Sequence, residues 1–393
     1  MSQKEHFLPQ VQMGWESPAN IALVKYWGKY PIQKPMNPSV SFVLSRSVVR
    51  LVIGFGIAGR SGSGLHHFTL NGQPNEGFRK RLAGFIESLI PSFPFLRGMA
   101  LSISSESTFP HSAGIASSAA AFSALALCIC EMQERVKTRS DHESSPGSGP
   151  TDAAAMTPDA LDVINDAVKP IHTNRRNALL QDADFIRSAS NIARLGSGSA
   201  CRSLQDGFVV WGKTPLLGSA SDDYGVRVDN ENVANQFNAL RDAVLIVDDT
   251  TKKVSSSAGH ALMHGHAYRE NRVAQANGNL SSILNAIRTG DEELFFNILE
   301  NEALSLHSLM MSSNPGYILM RPNTITLLEK IRDFREQNKV SLGFTMDAGP
   351  NIHLIYFERD RQTVHAWISS ELAPLCKDKI WIDDAMGRGP QPL

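Results

Sequence analysis

The chain has 393 residues, enough for two ordinary domains or for two lobes that share one site. Hydrophobic residues make up 42% and charged residues 20%, and the formal net charge of −1 offers no global basic field to nucleic acid or to a membrane surface. Four cysteines in so long a chain do not suggest a disulfide scaffold and fit a reducing compartment.

Met1 to Gln10 is polar and lacks the apolar centre of a secretory leader, so a cytoplasmic location is expected. An apolar, strand-like run then ends abruptly in Lys25, Tyr26, Trp27, Gly28 and Lys29. Ser45 to Ile57 reads as strands around a turn, and His66 to Leu70 and Ala100 to Ser104 alternate like half-buried strands. Phe78 to Leu89 has helical spacing, and Ala113 to Glu134 reads as a long Ala/Leu-rich helix. Its run from Ala119 to Cys130 is too short to span a bilayer. Cys128 and Cys130, two apart on that helix, make a poor metal pair.

Lys137 to Asp152 is dense in Ser, Gly, Pro and charge, and opens a surface insertion that reaches about residue 174. Within it, Thr157-Pro158 starts a helix with Leu161, Ile164 and Val168 on one face. Asp182 to Arg194 reads as helix and Gly207 to Trp211 as strand. A second block begins with the strand Ala243 to Val247. Helices follow over Ala258 to Gln275, Leu280 to Arg288, Glu292 to Met311 and Thr324 to Gln337, with strands at Leu342 to Thr345, Ile352 to Phe357 and Ile380 to Ile382. The expected fold is α+β in two lobes, residues 1–225 and 226–393, with a site in the cleft between them.

Four clusters carry chemistry. Lys25 and Lys29, with Tyr26 and Trp27 between them and Gly28 to turn the chain, suit a polyanionic small molecule. Ser112, Ala113, Gly114, Ile115, Ala116, Ser117 and Ser118 form a small-residue loop running into a helix start. Free N–H groups and the positive end of the helix dipole favour phosphate there. A serine-capped core helix reads the same way, and no Walker lysine is present. Ser197, Gly198, Ser199, Ala200 and Cys201 offer hydroxyls and exposed backbone N–H groups, and Arg202 after them can grip a carboxylate bidentately. Asp347 ends a strand in a turn of small residues that a substrate can approach closely. Ser256 and Ser257, after Lys252 and Lys253, form a further candidate anion site. His260, His264 and His266 read as surface or packing histidines rather than metal ligands, since no His-Glu-x-x-His accompanies them. Arg79-Lys80-Arg81 reads as a solvated helix face, with a diphosphate contact by one of them left open.

Together, in this order, these segments resemble the diphosphomevalonate decarboxylases of the GHMP kinase superfamily. The likeness rests on Lys25-Tyr26-Trp27-Gly28-Lys29, Ala113-Gly114-Ile115-Ala116-Ser117-Ser118-Ala119, Gly196 to Ser203, Val254-Ser255-Ser256, Asn314-Pro315 and Asp347-Ala348-Gly349-Pro350-Asn351. It runs from about Ser17 to the Gly389-Pro390-Gln391 tail. Departures are Ser107 and Thr108, where the family usually has asparagines, and His111-Ser112, where it has threonine-alanine.

The resemblance implies a GHMP-kinase-like fold and an ATP- and Mg²⁺-dependent reaction of the mevalonate route to isoprenoids. A tertiary hydroxyl is phosphorylated, phosphate departs, and carbon dioxide is lost to leave an alkene. It implies Asp347 as the base, with Lys25 supporting it and Arg202 on the substrate carboxylate. The loop from Ser112 to Ser118 would take ATP, and the remaining clusters the substrate. The partners implied are mevalonate diphosphate and ATP, with a homodimer left open and neither nucleic acid nor membrane involved. Rival readings are a monophosphate decarboxylase, a kinase that stops at the phosphorylated alcohol, and a non-catalytic metabolite-binding protein.

Overall fold

The computed structural model describes residues 11–58, 62–109, 117–143, 173–250 and 254–393. The N-terminal ten residues, the loop 110–116 and Lys252-Lys253 lie outside these. So do most of the insertion and the helix expected from Thr157.

The first lobe runs β1 (Val11–Val24), β2 (Lys29–Tyr30), β3 (Lys34–Pro35), β4 (Ser39–Ile57), β5 (Gly64–Leu70), β6 (Gln73–Pro74), α1 (Glu76–Leu89) and β7 (Met99–Ser107). It continues with α2 (Ser117–Glu143), α3 (Thr173–Leu179), α4 (Ala183–Gly196), β8 (Phe208–Trp211) and β9 (Val226–Arg227). The second runs β10 (Leu240–Leu245), α5 (Ser256–Leu262), α6 (Arg269–Thr289), α7 (Glu292–Met311), α8 (Pro322–Asn338), β11 (Leu342–Thr345), β12 (Ile352–Phe357), α9 (Arg361–Trp367) and β13 (Trp381–Ala385). A last strand, β14 (Gln391–Pro392), returns to pair with β1.

One sheet has the order β14-β1-β4-β7-β5-β6, with β8 added on β4 and β9 on β8. The other has the order β11-β12-β10-β13 and is antiparallel throughout. The boundary expected at 225/226 thus falls at β9, and sheet pairing carries β9 and β14 with the first lobe.

Three sequence expectations differ from the structure. Ser45 to Ile57 reads as strands around a turn, but β4 passes straight through it, Ser45-Arg46-Ser47 included, as one 19-residue strand. The Asp384 carboxylate explains this. It accepts from the backbone N–H of Ser45, Arg46 and Ser47 at 2.9, 2.8 and 2.7 Å, taking the place of ladder partners. The two helices expected over 258–288 break elsewhere, at Met263 to Tyr268 rather than after Gln275. Asn277-Gly278-Asn279, which reads as a breaker, stays helical. Asn279 Nδ2 donates to the buried Glu302 carboxylate at 2.6 Å, and packing overrides propensity. Finally, α2 continues to Glu143, past the expected Glu134. Lys137 pairs with Glu134 at 2.8 Å, and the Thr138 hydroxyl bonds back to the Glu134 carbonyl.

The inner face of the first sheet packs Leu51, Ile53, Phe55 and Ile103 against α1, α2 and α4. A second cluster belongs to both lobes. Ile21, Leu23, Val40, Phe42 and Phe208 meet Phe237, Val244, Leu280, Phe295 and Phe357 in one continuous core. The end of β1 and the second sheet are therefore held against each other by close-packed side chains, which transmit little slack. Trp27, Met36, Met263, Leu306 and Met310 form a smaller apolar floor beside β1's last residue. Among the described residues, no helix is long and apolar enough to cross a membrane.

Candidate active site

A cleft of about 380 Å³ lies where β1 ends against the second lobe. Lys25, Tyr26, Trp27, Lys29, Ser117, Ser118, Ser197, Ser199, Arg202, Ser256, Ser257 and Asp347 all line it. Residues from four distant segments and the turn after β11 thus share one site. Among the described residues, four cations line it (Lys25, Lys29, Arg81 and Arg202) against the single carboxylate of Asp347. A chain of net charge −1 has gathered positive charge in one concave place, as a polyanion requires.

Lys25 is fixed on every side. Its Nζ donates to Asp347 Oδ1 at 2.9 Å, with the two side chains 3% and 27% exposed. Its backbone N–H donates to Glu302 Oε2 at 2.8 Å, and its carbonyl accepts from Asn37 Nδ2 at 2.9 Å and from Arg272 at 2.6 Å. Arg272 and Glu302 form a buried ion pair at 2.6 Å. Burial lowers the Lys25 pKa, while the Asp347 and Glu302 carboxylates oppose that shift.

Arg202 is 2% exposed, on the short helical turn Gly198–Arg202. Nε and one terminal nitrogen donate to Asn20 Oδ1 at 3.4 and 3.3 Å, and the other terminal nitrogen donates to the Ser39 hydroxyl. A guanidinium has five N–H groups, so two remain for a ligand. Asn20 is itself placed by donating to Ser199 O at 3.0 Å and Ser203 Oγ at 2.8 Å.

Asp347 follows Thr345, whose hydroxyl donates to Ala22 O at 3.5 Å and so ties β11 to β1. Gly349 N–H donates to Asp347 O at 2.7 Å and closes the small-residue turn. Tyr26 stacks on His260 at 4.8 Å and meets Trp211 edge-on at 4.7 Å, and burial pushes its hydroxyl pKa up. Lys29 sits over the Tyr26 ring at 5.8 Å. Burial and then the Arg81 charge lower its pKa to about 8. Ser118 and Ser197 share a hydroxyl–hydroxyl bond of 3.2 Å that ties the start of α2 to the end of α4.

Four residues expected at the ligand do not line the cleft. Ala200 and Cys201 are fully buried in the wall, and burial pushes the Cys201 thiol up to about 12. Gly198 backs Tyr26 and Trp211, where a Cβ would come within 2.8 Å of the indole. Gly28 turns the chain at φ +98°, where a Cβ would meet Met36 Sδ at 2.4 Å. Their part is to shape the wall. Ser112 to Ala116 lie outside the described residues.

Sequence reasoning missed Asn20, Asn37, Arg272 and Glu302, and it set His260 aside as a surface or packing residue. His260 lines the cleft and accepts the Gly28 N–H at Nδ1, 3.0 Å away. Of the Arg79-Lys80-Arg81 run, only Arg81 lines the cleft. Arg79 pairs with Glu76 and the Leu65 carbonyl. Thr108, a departure from the family pattern, stitches the strand before the loop to Arg46 O and Val48 N at 2.6 and 3.0 Å. All four cysteines are buried and none is in a disulfide.

Two family models match, in order. Residues 17–149 and 177–222 match the diphosphomevalonate decarboxylase-like N-terminal domain, and residues 243–386 match the mevalonate 5-diphosphate decarboxylase C-terminal domain. The diphosphomevalonate decarboxylase of Aspergillus fumigatus is 26% identical over 378 residues, covering 91% of this chain and 80% of that protein. The Saccharomyces cerevisiae enzyme is 27% identical over 369 residues, covering 90% and 79%. In fold, the mevalonate diphosphate decarboxylase of Staphylococcus aureus superposes with a TM-score of 0.72 at 22% identity, covering 98% of each chain. That of Enterococcus faecalis gives 0.70 at 21% identity, covering 98% and 99%. The two matched domains leave unmatched little more than the ends, the insertion and the connection at 223–242, and the chain belongs to the diphosphomevalonate decarboxylase family.

Proposed function

We propose that this protein converts (R)-5-diphosphomevalonate and ATP into isopentenyl diphosphate, ADP, phosphate and carbon dioxide. The observation that carries the reading is the Lys25–Asp347 pair at 2.9 Å, set in one cleft with the buried Arg202 guanidinium and the hydroxyls that open α2.

Each demand of the chemistry has a group suited to it. Asp347 takes or orients the proton of the tertiary hydroxyl as that oxygen is phosphorylated. Lys25, held against Asp347, sets a positive charge beside the phosphoryl group in transfer. Phosphate then leaves with the C–O bonding pair. The electrons of the breaking carbon–carbon bond form the alkene, and carbon dioxide departs. Until then the carboxylate must stay fixed, and the two remaining N–H groups of Arg202 suit that task. Tyr26, Lys29, Arg81, Ser197, Ser199, Ser256 and Ser257 line the same cleft and suit the hydroxyl, carboxylate and diphosphate of the substrate. Ser117 and Ser118, continuing the loop from Ser112, suit the ATP phosphates.

Among the described residues no group of three or more His, Cys, Asp or Glu side chains could hold a metal by itself. That fits Mg²⁺, which uses one or two protein oxygens together with phosphates and waters. The Ser117 and Ser118 hydroxyls and Asp347 are the oxygen donors at hand, and the ion would neutralise charge on the phosphates. A solved structure of this fold in complex with MVAPP, AMPPCP and magnesium supports ATP and Mg²⁺ here. Cytoplasmic residence and a homodimer belong to the same proposal; the four cysteines outside disulfides support the first, and sedimentation of the purified protein tests the second.

The test is an end-point assay with ATP, Mg²⁺ and, separately, diphosphomevalonate, phosphomevalonate and mevalonate. Equal amounts of ADP, phosphate and carbon dioxide are expected with the diphosphate. ADP without carbon dioxide would make the protein a kinase, and turnover only with the monophosphate would move the substrate.

A further inference from the structure

His260 is 5% exposed and lines the cleft beside Tyr26 and Trp27. Its ring stacks on Tyr26 at 4.8 Å with planes 18° apart and tilts against Trp27 at 4.4 Å, so it has little freedom to turn. Gly28 N–H donates to Nδ1 at 3.0 Å. A ring nitrogen that accepts a backbone N–H carries no hydrogen, which puts the hydrogen of the neutral ring on Nε2. Burial, and then the Lys29 charge, hold its pKa well below the usual histidine range, so the ring is neutral at pH 7. No protein acceptor meets Nε2 among the described residues. Nor is Nε2 among the polar atoms sealed off without a partner, and the residue that carries it lines the cleft.

We propose that His260 is a specificity-determining residue, whose Nε2–H donates to a phosphate oxygen of the bound substrate. The inference rests on the reading of the cleft as a site for a phosphorylated substrate. Its surroundings favour a phosphate over a neutral acceptor. Lys29 lies close enough to act on the ring, and the Ser256 and Ser257 hydroxyls line the same cleft on the same helix. A neutral donor suits this place. Cations here already oppose one another, as Arg81 does Lys29. A histidine fixed in one tautomer adds a directed hydrogen bond without adding a further positive charge.

The test uses the full chain, with His260→Phe and His260→Gln and thermal unfolding as a check on folding. Calorimetry measures inorganic diphosphate, diphosphomevalonate and ATP. A hydrogen bond to a charged group corresponds to about ten- to a hundredfold in affinity. His260→Phe should lose that factor for both diphosphates and keep ATP affinity within about twofold of wild type. His260→Gln, which can accept from Gly28 and donate outward, should recover most of the loss. In the wild type, nitrogen NMR should find the hydrogen on Nε2 and see that resonance move on adding inorganic diphosphate. Equal losses for ATP and diphosphate would make His260 a packing residue and overturn the proposal. So would an Nε2 resonance that ignores diphosphate, even if His260→Phe failed to fold. A wild type that shows the diphosphate shift but never releases carbon dioxide would remove the decarboxylase reading and leave the phosphate contact standing.

Discussion

Lys25 and Lys29 stand four positions apart at the end of one strand, and the fold treats them in opposite ways. Lys25 has its N–H, its carbonyl and its ammonium each engaged, by Glu302, by Asn37 and Arg272, and by Asp347. Lys29 is half-buried over an aromatic face, and its nearest charged influence, Arg81, repels it. Arg202 belongs with the first kind and Arg81 with the second. One end of the cleft is set before any ligand arrives. The other is left under electrostatic strain that an anion relieves. Groups aimed in advance at the reacting atoms accelerate chemistry, whereas groups completed by the ligand chiefly bind it.

The sharpest way to break this comparison is to disarm the fixed end. Asp347→Asn keeps the shape and removes the proposed base. It should lower turnover by roughly 10²–10⁴-fold with substrate affinity nearly intact, measured by steady-state kinetics alongside calorimetry. Turnover close to wild type would remove Asp347 from the chemistry. Glu302→Gln should act through Lys25. It leaves Arg272 buried without its ionic partner, a loss of about 3–5 kcal/mol in denaturant unfolding. It also removes one of the two carboxylates that raise the Lys25 pKa, so the alkaline limb of the turnover profile should move to lower pH. A profile that did not move would confine Glu302 to stability.

The strained end predicts a pH dependence of binding. The Lys29 pKa is about 8, and only its charged form attracts phosphate. Affinity for diphosphomevalonate should be flat below about pH 7 and fall as pH rises through 8, with proton uptake on binding in that range. Arg81→Ala removes the repulsion, so the fall should begin at higher pH even though overall affinity drops. A fall that began earlier would contradict the assigned interaction. Ser118→Ala should show the smallest effect, a few-fold loss of nucleotide affinity with substrate affinity unchanged, since one neutral hydrogen bond contributes about 1 kcal/mol.

Much of this was legible in the sequence because it was local. Helix α7 and strands β11 and β12 have the expected limits, since each is an uninterrupted periodic run between clear breakers. Lys25 stood out because it ends an apolar, strand-like run, Arg202 because it follows a stretch of small residues, and Asp347 because it ends a strand at a small-residue turn. What escaped was tertiary. Nothing near Ser45 announces that Asp384, far along the chain, will satisfy its backbone. Nothing in α6 or α7 marks Arg272 and Glu302 as a clamp on Lys25, because each looks like one more charge on a helix. His260 looked like a surface or packing residue because its partner, the Gly28 N–H, is also remote.

The most direct test of the contrast between the two ends is a single-turnover experiment on Arg202→Lys and Arg81→Ala in parallel, with ATP affinity measured for both. Lysine cannot reproduce a planar bidentate grip on a carboxylate. Arg202→Lys should therefore slow carbon dioxide release at saturating substrate while ATP affinity stays near wild type. Arg81→Ala should keep the chemical rate and lose substrate affinity. If Arg202→Lys kept its chemical rate and lost only ATP affinity, Arg202 would belong to the nucleotide, and the division of the cleft into a fixed reacting end and a ligand-completed end would be wrong.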